Sequence, residues 1–300
     1  MHLAGIIPVA NLKTDLQTVF PEVLLPLAPD FTAIQKSVYE CALVGCQTIW
    51  VVANNDLAPI VRKSVGEWVY DPVYYNRTMT QFYREVRKEI PIYYVPIHPK
   101  DRDRRDCYAW SILYGAYSAW SVAYKISKWV RPEKYYVSFP LSAYKLDFLR
   151  RERLSIANKE KNFFLSYEDK TIKDNLPLAF TFTGDDFIKC RRDLNKKTTR
   201  EFLPPSPDQR YPSQKRPLAD RWSARTFDLS TVFEQLTLSD SNIVPIEKFY
   251  DLSEWGQYCA FLCQESDKLI KKPYKDLIKP RFHVKLPYTS SGGKDEEIED

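Results

Sequence analysis

Short apolar runs alternate with helical stripes along the first half of the chain. The runs are Leu3 to Ala10, TIWVVA at 48–53, IPIYYVPI at 90–97 and KYYVSFP at 134–140. Between them, apolar residues recur at helical spacing from Phe31 to Ala42, from Asn55 or Asp56 to about Gly66, and from Ala109 to about Lys128. Strands that are apolar throughout are typical of parallel strands covered on both faces. The pattern therefore predicts an α/β fold with a doubly wound, mostly parallel sheet.

The second half of the chain is less regular and more elaborate. Strands are predicted at 162–167, 177–182 and 242–246, and helices at 184–194, 227–236 and from Ser253 onward. Residues 198–225 contain five prolines and many basic residues, which predicts a long irregular excursion. We expect a single domain over residues 1–285, followed by a disordered acidic tail at 286–300.

Helix ends carry their own signals. Asp30 is placed to cap the first helix, and Gly45 to end it. The Gly184-Asp185-Asp186 sequence resembles a metal motif in isolation, but a strand-to-helix turn with an acidic N-cap explains it better.

Composition excludes several classes of protein. With 300 residues, 44% of them hydrophobic and 28% charged, the chain is neither collagen-like nor wholly disordered. Its six cysteines lack zinc-site spacing, and no apolar run approaches the roughly 20 residues of a membrane helix. The first residues lack the basic start of a signal peptide. We therefore expect a cytoplasmic protein without a membrane partner.

Charge is distributed unevenly over the chain, whose net charge is +5. Residues 189–225 hold eleven Lys or Arg and four acids, whereas the last seven residues, KDEEIED, hold five acids and one base. The basic segment could bind phosphates, an acidic protein partner, or the chain's own acidic tail.

The predicted sheet topology indicates which edge of the sheet would bind a ligand. In open parallel sheets, ligands bind at the carboxyl ends of strands, near the point where the strand order reverses. That places the candidate site in the loops after Ala10, Ala53, Ile97 and Pro140. The first of these loops carries Lys13, Thr14 and Asp15.

Several segments together resemble one enzyme family. The strand GIIPVA, the pattern P-x-x-L-L-P-L-A at 21–28 and G-C-x-x-I-x-V-V at 45–52 are similar to the nucleoside-diphosphate-sugar pyrophosphorylases. The resemblance extends through KYYVSFP and LAFTFTGDDFIKCRRDL to FYDLSEWGQYCAFL. It implies a nucleotidyltransferase fold, related to the Rossmann and GT-A folds, and a reaction that joins a sugar 1-phosphate to a nucleoside triphosphate.

The resemblance also implies site residues. Ala10, Asn11, Lys13 and Thr14 correspond to the loop that holds the nucleotide, and Asp106 lies in the turn that receives the base and ribose. Asp251 corresponds to a metal-binding aspartate, for which a helix N-terminal acid is the alternative.

The chain departs from this family at the residues that carry the chemistry. The first loop has no glycine, Glu22 stands where the family has its catalytic lysine, and Phe139-Pro140 stands where it has Gly-Asp. Lys13 is the candidate substitute for the lysine. Because phosphoryl chemistry depends on metal ions and cations, these changes favour reduced or lost pyrophosphorylase activity. Magnesium is expected only if the site is active.

Two other functions stay open. Asp101-Arg102-Asp103 could be the metal motif of a GT-A sugar transferase, or part of a solvated charged loop. Alternatively, the chain is a structural or interaction protein on an old enzyme scaffold, and its pattern is also similar to uncharacterised proteins of tailed phages. Aromatic clusters beside basic residues suit single-stranded nucleic acid, but no nucleic-acid motif supports that partner.

Overall fold

A computed structural model describes residues 2–9, 14–75, 89–97, 107–126, 131–199 and 227–264. In these residues, eight strands form one central sheet. They are β1 (Leu3–Val9), β4 (Thr48–Ala53), β5 (Trp68–Tyr70), β6 (Glu89–Pro96), β7 (Lys134–Val137), β9 (Phe163–Ser166), β10 (Phe180–Thr183) and β11 (Asn242–Pro245). Two short pairs lie outside it: β2 (Pro26–Ala28) with β3 (Phe31–Thr32), and β8 (Ser142–Ala143) with β12 (Tyr250–Asp251).

The helices of the described residues follow the strands. They are α1 (Ala33–Leu43), α2 (Ala58–Val65), α3 (Pro72–Tyr75), α4 (Tyr108–Ile126), α5 (Arg153–Ala157), α6 (Gly184–Thr199), α7 (Leu229–Val232) and α8 (Trp255–Gln264). Within this part of the chain, no helix combines the length and the hydropathy needed to cross a membrane.

The sheet has the order β11-β9-β10-β7-β1-β4-β6-β5. Strands β7, β1, β4 and β6 are parallel, whereas β10 and β5 run against their neighbours. Because β1 lies between β4 and β7, the strand order reverses at β1. The predicted mostly parallel α/β sheet is confirmed, and its switch point lies at the carboxyl ends of β1 and β7.

Both faces of the sheet are covered, which explains the continuously apolar strands. Ile7 and Val51 face a core formed with α1 and α2, and Ile6 and Val52 face a core formed with α4. Successive residues of β1 and β4 therefore enter opposite cores, and each must be apolar.

The prediction for the start of α1 was wrong. Asp30 has a left-handed backbone, with φ of 54°, in the turn between β2 and β3. The cap is Thr32, whose backbone N–H donates to Gln35 Oε1 at 2.9 Å, one of the two hydrogen bonds of a capping box. The end of the helix was predicted well, because Gly45 adopts φ of 92° directly after it.

The acidic turn before α6 also forms a capping box. Asp186 Oδ2 accepts hydrogen bonds from the backbone N–H and the hydroxyl of Thr183. In return, the backbone N–H of Asp186 donates to Thr183 Oγ1. A helix start explains this sequence, as predicted, although the cap itself is Thr183 and Asp186 closes the box three residues later.

Candidate functional site at the carboxyl edge of the sheet

Only part of the predicted site falls within the described residues. Thr14 and Asp251 do, and hydrogen bonds between their segments hold them at the same edge of the sheet. The other predicted site residues lie outside the described part of the chain; they are Ala10, Asn11, Lys13 and Asp106. The Asp101-Arg102-Asp103 motif also lies outside it.

A third apolar cluster joins the loops at this edge. It contains Leu16 and Leu25 from the loop after β1, Leu141 from the loop after β7, and Leu252 and Phe261 from the β12–α8 segment. All five side chains are at most 5% exposed. Segments that are more than 100 residues apart in sequence are thereby packed into one scaffold around the switch point.

Hydrogen bonds connect the first loop to α8. Asp15 Oδ1 accepts the backbone N–H of Trp255, the first residue of α8, at 2.7 Å. A carboxylate at a helix N-terminus satisfies an otherwise unpaired N–H and interacts favourably with the helix dipole. The hydroxyl of Tyr258 donates to the carbonyl of Pro26 at 2.9 Å and fixes the same two segments further along.

Glu22 takes part in the internal structure of the first loop. The hydroxyl of Thr14 donates to Glu22 Oε1 at 3.2 Å. Glu22 also begins a short 3-10 helix that ends at Leu24. The predicted nucleotide-binding residue Thr14 is therefore paired with the acid that stands at the family's lysine position.

Asp251 is half-buried and organises the start of α8. Its Oδ1 accepts from the backbone N–H of Ser253 at 2.9 Å and from the Ser253 hydroxyl at 2.6 Å, while its own N–H donates to Gln257 Oε1. It also lies near Tyr108 at the start of α4. Burial, and next the negative charge of Asp251, raise the pKa of the Tyr108 hydroxyl well above its usual value.

A fully buried ion pair holds the loop after β7. Lys36 Nζ lies 3.2 Å from Glu40 Oε2, one turn along α1, and both side chains are inaccessible to solvent. Lys36 also donates to the carbonyls of Phe139, at 2.9 Å, and Ser142, at 2.7 Å. These two bonds to carbonyls therefore fix the backbone on both sides of Pro140.

The Glu40 carboxylate accepts hydrogen bonds from three hydroxyl groups in the same region. Its Oε1 accepts from Tyr136 at 2.6 Å and Tyr144 at 2.5 Å, and its Oε2 accepts from Ser138 at 2.8 Å. Burial and the Glu40 charge raise the pKa of both tyrosines well above normal. Burial lowers the pKa of Lys36, and Glu40 opposes that shift. The network combines complete hydrogen bonding with a charge pair, the condition under which buried ions are tolerated.

Sequence reasoning missed this network. Lys36 and Glu40 lie among the apolar residues of α1 at i, i+4 spacing, and Tyr136 and Ser138 lie on one face of a buried strand. The sequence did contain a signal for the network: polar residues occupy core-facing positions in both α1 and β7. Their pairing spans about a hundred residues of sequence, so the pattern of α1 alone could not reveal it.

The described residues do not fit a two-carboxylate magnesium clamp. The end of the central strand offers Phe139 and Pro140, which have no carboxylate, and Asp251 Oδ1 already accepts two hydrogen bonds. No group of three or more His, Cys, Asp or Glu residues suited to a metal ion occurs in the described part of the chain. Magnesium in proteins is bound through carboxylates together with substrate phosphates.

Comparison with known proteins gives a structural likeness only. No protein-family model matches the sequence, and no curated protein is detectably related to it. Among solved structures, a Bacillus anthracis protein provisionally named glucose-1-phosphate thymidylyltransferase, in complex with sucrose, is similar at 10% identity with a TM-score of 0.56. The match covers 90% of this chain and 98% of that one.

A UDP-glucose pyrophosphorylase complexed with UDP-glucose is similar at 13% identity and a TM-score of 0.49, over 88% of this chain and 98% of that one. At such low identities, the first structure supports the fold and nothing finer. The chain is therefore an α/β protein with the same overall fold as a protein provisionally named a sugar-phosphate nucleotidyltransferase.

Proposed function

We propose that this chain binds a nucleotide or a nucleotide sugar at the carboxyl edge of its sheet, and that its pyrophosphorylase activity is reduced or lost. The fold supports the first part, because ligands of open parallel sheets bind at the switch point.

The observation that carries the proposal is the rigid support of the loops. A separate apolar cluster and a buried ion pair hold the backbone on both sides of Pro140, and α8 is tied to the first loop through Asp15. A binding site needs such support, because loosely held loops must be ordered by the ligand at a cost in affinity.

The second part of the proposal follows from the charges. The described loops contribute Asp15, Glu22 and Asp251, and Lys36, which is fixed near them, is fully buried and bonded internally. Nucleotidyl transfer needs positive charge where negative charge develops on the transferred phosphate. Carboxylates instead suit sugar hydroxyls, which donate hydrogen bonds to them.

The test is thermal melting with a panel of nucleoside triphosphates and nucleotide sugars at 1 mM, each with and without magnesium. Binding to the folded state stabilises it by about 2.7 kcal/mol when the ligand is at 100 times its Kd. We expect a nucleotide sugar to raise Tm by several degrees and the rise to be the same without magnesium. A parallel assay for release of the sugar 1-phosphate from nucleotide sugar and pyrophosphate is expected to detect no turnover.

Matched variants locate the binding. Asp251→Asn and Thr14→Val should abolish the Tm rise, whereas Asp240→Asn, at an exposed acid outside these loops, should keep it. Lys13→Ala tests the predicted lysine directly. A Tm rise that survives all three site changes, or the absence of any rise, would refute binding at this edge. Turnover that needs magnesium would refute the loss of activity.

One observation favours a second function, in which the chain is an interaction protein without enzymatic activity. A groove with several arginines opens at the opposite edge of the sheet, near the start of the basic segment 189–225. Arginine and aromatic residues are enriched at the centres of protein interfaces.

A further inference from the structure

A basic groove lies at the amino edge of the parallel strands, between α4, α6 and the residues before β7. Its volume is about 710 Å³, and we define it by its lining residues: Trp120, Arg131, Pro132, Glu133, Lys134, Lys159, Thr183, Gly184, Asp185, Phe187, Ile188, Arg191 and Arg192. Five of these are cationic and two are acidic, so the groove attracts anions.

Aromatic rings fix two of the arginines without using their hydrogen-bond donors. The guanidinium of Arg131 lies 4.4 Å from the ring centre of Tyr124, and that of Arg191 lies 4.3 Å from the ring centre of Tyr117. Neither arginine has an ion-pair partner among the residues that the structure describes. Arg131 Nε is buried and has no hydrogen-bond acceptor there. Stacked guanidinium groups present planar forks that suit carboxylates and phosphates.

The groove also offers apolar surface. Trp120 is 38% exposed and Ile188 is 45% exposed, and Phe187 lines the wall between them. A small inorganic anion would leave this surface uncovered. An occupant that combines carboxylates with an apolar side chain would use both features of the groove.

The chain contains such a segment. The sequence DEEIED at 295–300 places a single isoleucine, Ile298, among five acids. We propose that residues 295–300 dock in the basic groove, with the acids against Arg131, Arg191 and Arg192 and with Ile298 against Trp120 and Ile188.

The length of the chain allows this docking. Residues 265–300 follow α8, and a segment of that length can span at most roughly 120 Å when fully extended. A domain of this size has a radius of gyration of about 19 Å, so the last residues can reach the opposite edge of the sheet. A tethered segment has an effective concentration of roughly a millimolar, which makes even weak docking substantial.

The experiment measures binding of a fluorescein-labelled peptide, TSSGGKDEEIED, by fluorescence anisotropy. The receptors are the full-length chain and a full-length variant with a neutral tail, which carries Asp295→Asn, Glu296→Gln, Glu297→Gln, Glu299→Gln and Asp300→Asn. We expect the neutral-tail variant to bind the peptide at least fivefold more tightly, because the native tail competes for the groove. Equal affinities would refute the docking.

Further variants of the neutral-tail chain locate the contact. The double variant Arg131→Gln, Arg191→Gln should weaken peptide binding at least tenfold. The control Arg216→Gln, Arg221→Gln removes the same charge from the basic segment and should change the affinity for the peptide less than twofold. The reverse result would assign the peptide to the basic segment and refute the groove. Circular dichroism checks that each variant is folded.

The ligand class is tested with the same assay. An Ile298→Ser peptide should bind several-fold more weakly, which a purely ionic contact would not predict. Inorganic phosphate at 1 mM should not displace the native peptide. Displacement by phosphate together with full binding of the Ile298→Ser peptide would show a small-anion site instead and would overturn the proposal.

Discussion

The two edges of the sheet are each held by a buried lysine, but in different ways. At the carboxyl edge, Lys36 bonds Glu40 and two carbonyls, and the carboxylate is in turn saturated by hydroxyls. At the amino edge, Lys134 Nζ is bonded only to carbonyls, those of Ile156, Asn158 and Lys161, at 2.6–2.9 Å. The charge of the first lysine is balanced by a carboxylate in direct contact, whereas the second has only carbonyl acceptors and the more remote charge of Asp186, which opposes the lowering of its pKa.

This difference in charge between the two edges indicates which ligands each edge suits. The carboxyl edge has its buried charges balanced and presents acids, which suit the sugar hydroxyls of the proposed nucleotide-sugar ligand. The amino edge presents Arg131 and Arg191, which have no ion-pair partner in the described part of the chain, and it therefore suits carboxylates. The two proposed binding surfaces are thus separated by the full height of the sheet.

The largest expected loss of stability comes from removing the charge of Glu40 in the buried pair with Lys36. Glu40→Gln keeps the shape of the side chain but leaves the charge of Lys36 buried without a counter-ion, which should cost about 3–5 kcal/mol. Urea denaturation measures this. The control is Glu67→Gln, which removes the acid from an exposed pair with Arg62 and should cost less than about 1 kcal/mol. Similar losses in the two variants would contradict the role assigned to the network.

A smaller effect is expected from the other lysine, and it depends on pH. Burial lowers the pKa of Lys134 to about 8, from 10.5 in the unfolded chain. Between these values the unfolded chain binds more protons, so the free energy of unfolding should rise as the pH rises from 8 to 10.

Comparison of the wild-type chain with Lys134→Met separates the contribution of Lys134 to the free energy of unfolding from that of tyrosines and cysteines, which titrate in the same pH range. We expect the wild-type chain to gain about 1–3 kcal/mol relative to the Met variant between pH 8 and pH 10. Urea denaturation at pH 8, 9 and 10 follows the difference. A constant difference between the two proteins would show that Lys134 keeps an ordinary pKa.

The smallest expected effect on stability comes from a substitution at the rim of the basic groove, which tests the charge difference between the two edges. Glu133 forms an exposed ion pair with Lys159 at the rim of the basic groove. Glu133→Gln should change the free energy of unfolding by less than about 1 kcal/mol, because exposed pairs contribute little. In the neutral-tail variant it should tighten binding of the acidic peptide about twofold to threefold. Unchanged or weaker peptide binding would count against the electrostatic account of the groove.

The sequence was sufficient for those parts of the fold that local patterns determine. Apolar runs located the parallel strands β1, β4 and β6 closely, because residues facing two cores must all be apolar. The three-residue edge strand β5 was missed, because so short an element has no periodicity to detect.

Of the candidate site, the sequence supplied a position, which stays a prediction: the switch-point rule pointed to the loops after β1, β4, β6 and β7. The contact between Thr32 and Gln35 was visible in the sequence although Asp30 was chosen as the cap. The supports of the site were not visible. Lys36 and Glu40 are residue types that usually lie on the surface, and their burial depends on groups that follow about a hundred residues later.

The reversed direction of β10 has a consequence for how this chain can change over evolution. Each parallel strand delivers the residues that follow it to the candidate site, whereas β10 ends at Thr183, beside Lys134, at the opposite edge. Sequence inserted between β10 and α6 therefore starts on the far side of the molecule from the loops of the candidate site. At that connection the protein can acquire, lengthen or exchange an interaction surface while the geometry around Pro140 stays intact.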